Sequence, residues 1–225
     1  MTFFKQVKAL VWKDLKSEFR TKEMLSAMLI FAFLVIVIFS FAFDPTDKDL
    51  QQVFPGIIWV AFIFSGILGL NRSFVSEKKN NSIQGLMLCP ADRSVIYFGK
   101  VITNLILMLI VEFISLPIFI ILFDYRFSGS ILKLVLVILL GTFGFVSIGT
   151  FLAALTANTR TSEVLLPIIL FPVVVPLIIG AVESTEAIFI GKGISEILPW
   201  LKILGIYDLI FITVPFMLFE FLLEV

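Results

Sequence analysis

Long apolar stretches alternate with short polar ones along the whole chain. Six stretches stand out, at 24–43, 53–70, 101–123, 134–157, 164–182 and 206–223. The first is 20 residues without a charge. At 1.5 Å per residue it rises about 30 Å, the thickness of a bilayer's hydrocarbon core. In lipid every backbone N–H and C=O must be satisfied within the segment or within a closed barrel, and runs of this length far exceed a barrel strand. The pattern therefore predicts an all-α integral membrane protein with six transmembrane helices in a single domain.

Composition sharpens this picture. Hydrophobic residues make up 60% of the chain, 26 residues are Phe, and only 15% are charged, against about a quarter in soluble domains. The net charge is zero, and its distribution carries the information. An even helix count puts both termini on one side. Twelve of the 17 Lys and Arg then fall on that side, in 1–22, 71–100 and 158–163, leaving Lys48, Arg126, Lys133, Lys192 and Lys202 opposite. The positive-inside rule puts the first side, with both termini, in the cytoplasm. The first apolar run is too long, and its flank too mixed in charge, for a cleavable signal peptide.

Absences narrow the chemistry. With no histidine, His-based triads, His-ligated zinc and a histidine ligand to haem are excluded, and no metal site or catalytic group is expected. The single cysteine, Cys89, allows no internal disulfide and reads as a packing residue. Gly99-Lys100 and Gly191-Lys192 lack both the glycine-rich loop before them and the hydroxyl after them, so the chain has no P-loop. Nothing suggests a nucleic-acid partner; lipid is the solvent.

Residues 1–23 read as an amphipathic elbow helix on the inner leaflet. Phe4, Val7, Val11 and Leu15 fall within roughly 80° of helical arc, and Lys5, Lys13, Lys16 and Arg20 within a similar arc nearly opposite. Lys8 and Glu18 break the pattern at the edges of the apolar face. The polar segment 76–95 is more specific. Ser82 can cap a short helix through Ile83, Gln84, Gly85, Leu86, Met87, Leu88 and Cys89, which Pro90 ends. Ile83, Leu86 and Met87 share one face at i, i+3, i+4 spacing. Such a helix suits docking into a partner's groove, and equally an ordinary loop helix resting on lipid.

Several stretches here resemble the CcmB family (haem exporter protein B), the permease subunits of the ABC transporter in bacterial and organellar cytochrome c maturation. They are Pro55-Gly56-Ile57-Ile58-Trp59-Val60-Ala61-Phe62, Gly69-Leu70-Asn71-Arg72-Ser73-Phe74, Glu77, Gly85-Leu86-Met87-Leu88-Cys89-Pro90-Ala91-Asp92-Arg93-Ser94 and Gly99-Lys100. One departure is Ser82-Ile83-Gln84-Gly85, which lacks an acidic residue more usual there. The resemblance implies an ABC-2-type, type V exporter-like permease in which 82–90 is the coupling helix against an ATPase. It further implies two ATPase copies and a second copy of the permease. A haem-handling membrane subunit, a small accessory subunit and a haem chaperone complete the implied system. ATP would then sit on the partner, haem would be handled by the complex, and no cofactor would be bound by this chain. The implied location is the bacterial cytoplasmic membrane.

The remaining polar positions lie within or beside the spans. Glu112 sits at the centre of 101–123, where a charge costs about 2.5–3.5 kcal/mol on insertion scales. It is either a transport-cycle carboxylate facing a cavity or a protonated carboxyl bonded to a neighbouring helix. Asp208 and Glu220, near the ends of the last run, are expected to reach water. Gly149, Ala153 and Ala157 form a small-residue stripe for close helix packing. Pro167, Pro172 and Pro176 predict kinks in the fifth span. Residues 183–205 mix apolar and charged positions, which fits short interfacial or re-entrant helices on the outer side with Trp200 at headgroup level. Two readings compete with the cytochrome c maturation permease: an ABC-2 permease exporting lipid, polysaccharide or drug, and a non-transport membrane scaffold.

Overall fold

The computed structural model describes residues 3–43, 48–79, 93–124, 129–157, 159 and 161–222. Among them the secondary structure is entirely helical. The helices are α1 (Phe3–Thr21), α2 (Glu23–Ala42), α3 (Lys48–Lys79), α4 (Arg93–Leu122), α5 (Ile131–Thr156), α6 (Ser162–Phe189) and α7 (Ile194–Leu222). All but α1 are long and apolar enough to cross a membrane, giving six candidate spans. Successive spans run antiparallel. One end of the bundle therefore gathers α1, the start of α2, the end of α3 and the start of α4.

The core is built around α3 and α5. The apolar window of α3 is 72% buried, against 28% for α2 and 22% for α7. α5 is buried on every side from Gly141 to Ala154 apart from the half-buried Phe143. Small residues allow this. Gly141 lies under the Trp59 ring, Gly149 under Leu70 of α3, and Ala153 and Ala157 are buried. The small-residue stripe is thus packing within the subunit. Large apolar side chains on the outer helices, Phe33 and Phe41 of α2, Phe113 of α4 and Leu209 of α7 among them, face outward as a lipid belt requires.

Three sequence expectations are revised. In α1 the buried stripe is Val7 and Leu10, with Asp14 in line, while Phe4 is 82% exposed. The protein-facing stripe is rotated roughly 60° from the arc centred on Val11, because α1 packs on α4 as well as facing the membrane. Residues 183–205 do not form separate short helices: 183–189 complete α6, 190–193 make the turn, and 194–205 open α7. The last span accordingly runs Ile194–Leu218. That places Asp208 in mid-helix, where it is 6% exposed and does not reach water. α6 remains helical through Pro167, Pro172 and Pro176.

Candidate functional site

The nine positions expected to form a coupling helix, Ser82 through Pro90, lie outside the described residues. The helices that carry this segment are described, and contacts between α1, α2, α3 and α4 hold them together. Arg72, near the end of α3, pairs with Glu23 at the start of α2 at 2.9 Å. Glu18 Oε1 accepts hydrogen bonds from the Met24 and Leu25 amides, both at 2.9 Å, and so caps α2. The chain turns between α1 and α2 at Lys22, whose φ of 56° is left-handed. This explains why an acid interrupts the basic helix: Glu18 neutralises the positive end of the next one.

Further along, Lys100 Nζ pairs with Asp14 Oδ2 at 3.0 Å, and Lys13 with Asp14 Oδ1 at 3.0 Å. The Lys100 side chain is 4% exposed, so this pair is buried. Beside it Leu10 occupies the space that a side chain at Gly99 would need. The Gly99-Lys100 dipeptide thus docks α1: the glycine admits Leu10 and the lysine holds Asp14. The sequence holds a usable signal, an acid on the 3–4 spaced stripe Val7-Leu10-Asp14, which lies to one side of the arc centred on Val11.

Glu112 belongs to a polar seam between α4 and α5. It is 2% exposed. The Thr142 hydroxyl lies 2.7 Å from Oε1 and 2.9 Å from Oε2. One hydroxyl has one hydrogen, so Thr142 can fully donate to only one oxygen, and a proton on the carboxyl would supply the other contact. Among the described residues no cation lies against Glu112. The seam continues with Asn104 Nδ2 donating to Thr150 Oγ1 at 3.1 Å and Tyr97 OH donating to the Ser147 carbonyl at 3.2 Å. The bond to a neighbouring helix is the arrangement expected of an interface carboxyl, and Thr142 is the partner that sequence alone did not name. A second tie, Trp59 Nε1 to Thr185 Oγ1 at 3.0 Å, joins α3 to α6.

Asp208 approaches α5 at Gly144, where Leu177 and Tyr207 also converge. Neither of its carboxylate oxygens has a hydrogen-bond partner among the described residues. At the far end of the bundle a cavity of about 180 Å³ is lined by Gly129, Ser130, Lys133, Ile188, Gly191 and Lys192. Among the described residues the buried polar positions include helix–helix ties, one lone acid and the unpartnered hydroxyls of Ser65 and Ser184.

Comparison with known proteins bears on the whole of this frame. Residues 5–220 match the family described as CcmB protein. The chain belongs to the CcmB family. Relatives include heme exporter protein B of Pseudomonas aeruginosa, 27% identical over 85% of this chain and 86% of that protein. Heme exporter protein B of Rhodobacter capsulatus is 26% identical over 93% and 95%, and that of Escherichia coli K12 is 30% identical over 77% and 79%. The CcmB match runs from within α1 almost to the end of α7. It therefore includes the docked elbow, the Glu112 seam and the segment 82–90.

Proposed function

We propose that this chain is the permease subunit of an ABC transporter serving cytochrome c maturation, seated in the cytoplasmic membrane of a bacterium with both termini in the cytoplasm. The observation that carries the reading is the CcmB match over residues 5–220, supported by relatives named heme exporter protein B across most of their length. ATP hydrolysis resides on a separate ATPase, present with the permease in two copies each. ATP binding closes the paired ATPases, and the segment 82–90 carries that movement to α3 and α4, the helices on either side of it. The buried Asp14–Lys100 pair ties α1 to α4 and the surface Glu23–Arg72 pair ties α2 to α3, which gives the motion a frame on which to act. That movement releases the haem-loaded chaperone from the complex, whose haem-handling membrane subunit and accessory subunit meet the opposite end of the bundle.

The test is a single substitution on the coupling segment. Ile83, Leu86 and Met87 share a helical face, and filling a groove with them removes apolar area from water at about 25 cal/mol per Å². Leu86→Glu loses that area and places an unpaired charge in the groove. The variant should insert in the membrane at normal levels while losing co-purification of the ATPase and cytochrome c maturation. Retained ATPase binding with normal maturation would move the contact elsewhere. An unaltered chain that co-purifies no ATPase would refute the transporter assignment.

A further inference from the structure

The outward half of α1 combines two chemistries. Phe4, Trp12 and Phe19 are 82%, 64% and 52% exposed, far more than isolated soluble surface would favour. Lys5, Lys8, Lys16 and Arg20 share the same half and are exposed as well. Taking Phe4 as zero, the seven positions fall at 0° to 160° around the helix. Both acids of α1 are turned inward, Asp14 to Lys100 and Glu18 to the amides that begin α2. The exposed half is left with cations and aromatic rings and no carboxylate. Lys16 Nζ stands 4.6 Å from the centre of the Trp12 ring.

The orientation of α1 follows from its docking. Phe3 meets Phe98, Leu10 meets Gly99, and Asp14 meets Lys100. Positions about 16 Å apart along α1 thus converge on three consecutive residues of α4. The helices cross steeply instead of running side by side, so α1 lies across the spanning helices, in the plane of the membrane surface. A helix in that plane whose outer half interleaves aromatics with cations matches a headgroup layer rich in negative charge.

We infer that the outward half of α1 is a binding surface for anionic phospholipid headgroups, with Trp12 and Phe19 seated at the acyl boundary and Lys5, Lys8, Lys16 and Arg20 on the phosphates. The elbow thereby recognises lipid charge, a property separate from transport and independent of any ATPase or haem. The purified full chain is reconstituted in vesicles of phosphatidylcholine with phosphatidylglycerol, one of the two lipids brominated in turn. Tryptophan quenching is compared between the chain and a Trp12→Phe variant, so that the difference isolates Trp12 from Trp59 and Trp200. Brominated phosphatidylglycerol should quench Trp12 at least about fivefold more effectively than brominated phosphatidylcholine, the attraction that one basic residue supplies at an anionic surface. The preference should shrink towards unity in a Lys5→Gln, Lys8→Gln, Arg20→Gln triple variant, which touches neither the Asp14–Lys100 pair nor the Glu18 cap. Equal quenching by the two lipids overturns the inference, leaving an interfacial helix without charge selection. No quenching by either overturns it too, because the face is then covered by protein. Either failure leaves the transport assignment untouched, since no partner takes part.

Discussion

At the scale of single residues, two buried acids in one bundle are handled differently. Glu112 is matched to the hydroxyl of Thr142, and Glu112→Gln keeps both a donor and an acceptor in nearly the same volume. Its membrane level and cytochrome c maturation should stay close to normal. Thr142→Val removes the partner and should cost about 0.6–1.7 kcal/mol, the range of interhelical hydrogen bonds in a membrane, read as an earlier thermal aggregation midpoint in detergent. A large loss of maturation in Glu112→Gln at unchanged membrane level would make the carboxylate itself functional. Glu112 was legible as a polar intruder in an apolar run. Thr142 was not, because the register between two antiparallel helices decides which hydroxyl stands opposite. Asp208 misled for a related reason. The apolar run 206–223 places it near an end, whereas α7 begins at Ile194 and carries the mixed segment before it as helix.

At the scale of elements, α5 shows how far packing can replace polar chemistry. Gly141, Gly144 and Gly149 let Trp59 and Leu70 of α3 and Asp208 of α7 approach the helix backbone, so two neighbouring helices close on one central helix. Gly144→Val would place methyl groups against the Asp208 carboxyl, Leu177 and Tyr207. Overpacking of this kind costs about 1–3 kcal/mol. The variant should show lower yield of folded protein in detergent and an earlier thermal transition, whereas Gly56→Ala, at a position with open space around it, should show neither. If Gly144→Val were as stable as the unaltered chain, α7 would not be held at that distance from α5. The spanning helices themselves were legible because lipid imposes length and polarity limits that a run of letters displays directly. The rotation of α1 was not, since it depends on a glycine and a lysine far away in the chain, Gly99 and Lys100. The assignment of 82–90 as a coupling segment rests on a resemblance to a family and on helical spacing, and those residues lie outside the described ones.

At the scale of the whole molecule, the structure gathers most of the positive charge at one end. α1, with Lys5, Lys8, Lys13, Lys16 and Arg20, lies at the end where α4 begins with Arg93 and Lys100 and where α3 carries Arg72. Lys133 and Lys192 line the cavity at the other end. Loops rich in Lys and Arg resist translocation, so the α1 end should face the cytoplasm. This predicts that reporter fusions after Lys79 and Arg160 are cytoplasmic and that fusions after Asp47 and Gly193 are external. The four positions fall in four different connections, two at each end of the bundle, so they check the helix count as well as the orientation. A reversed pattern at all four would keep the six-helix fold and invert the protein, putting the segment 82–90 out of reach of any cytoplasmic ATPase. A reversal confined to Gly193 would instead mean that α6, the helix between Arg160 and Gly193, fails to cross. Only the predicted pattern leaves both the proposed coupling segment and the basic face of α1 on the side where ATP is found.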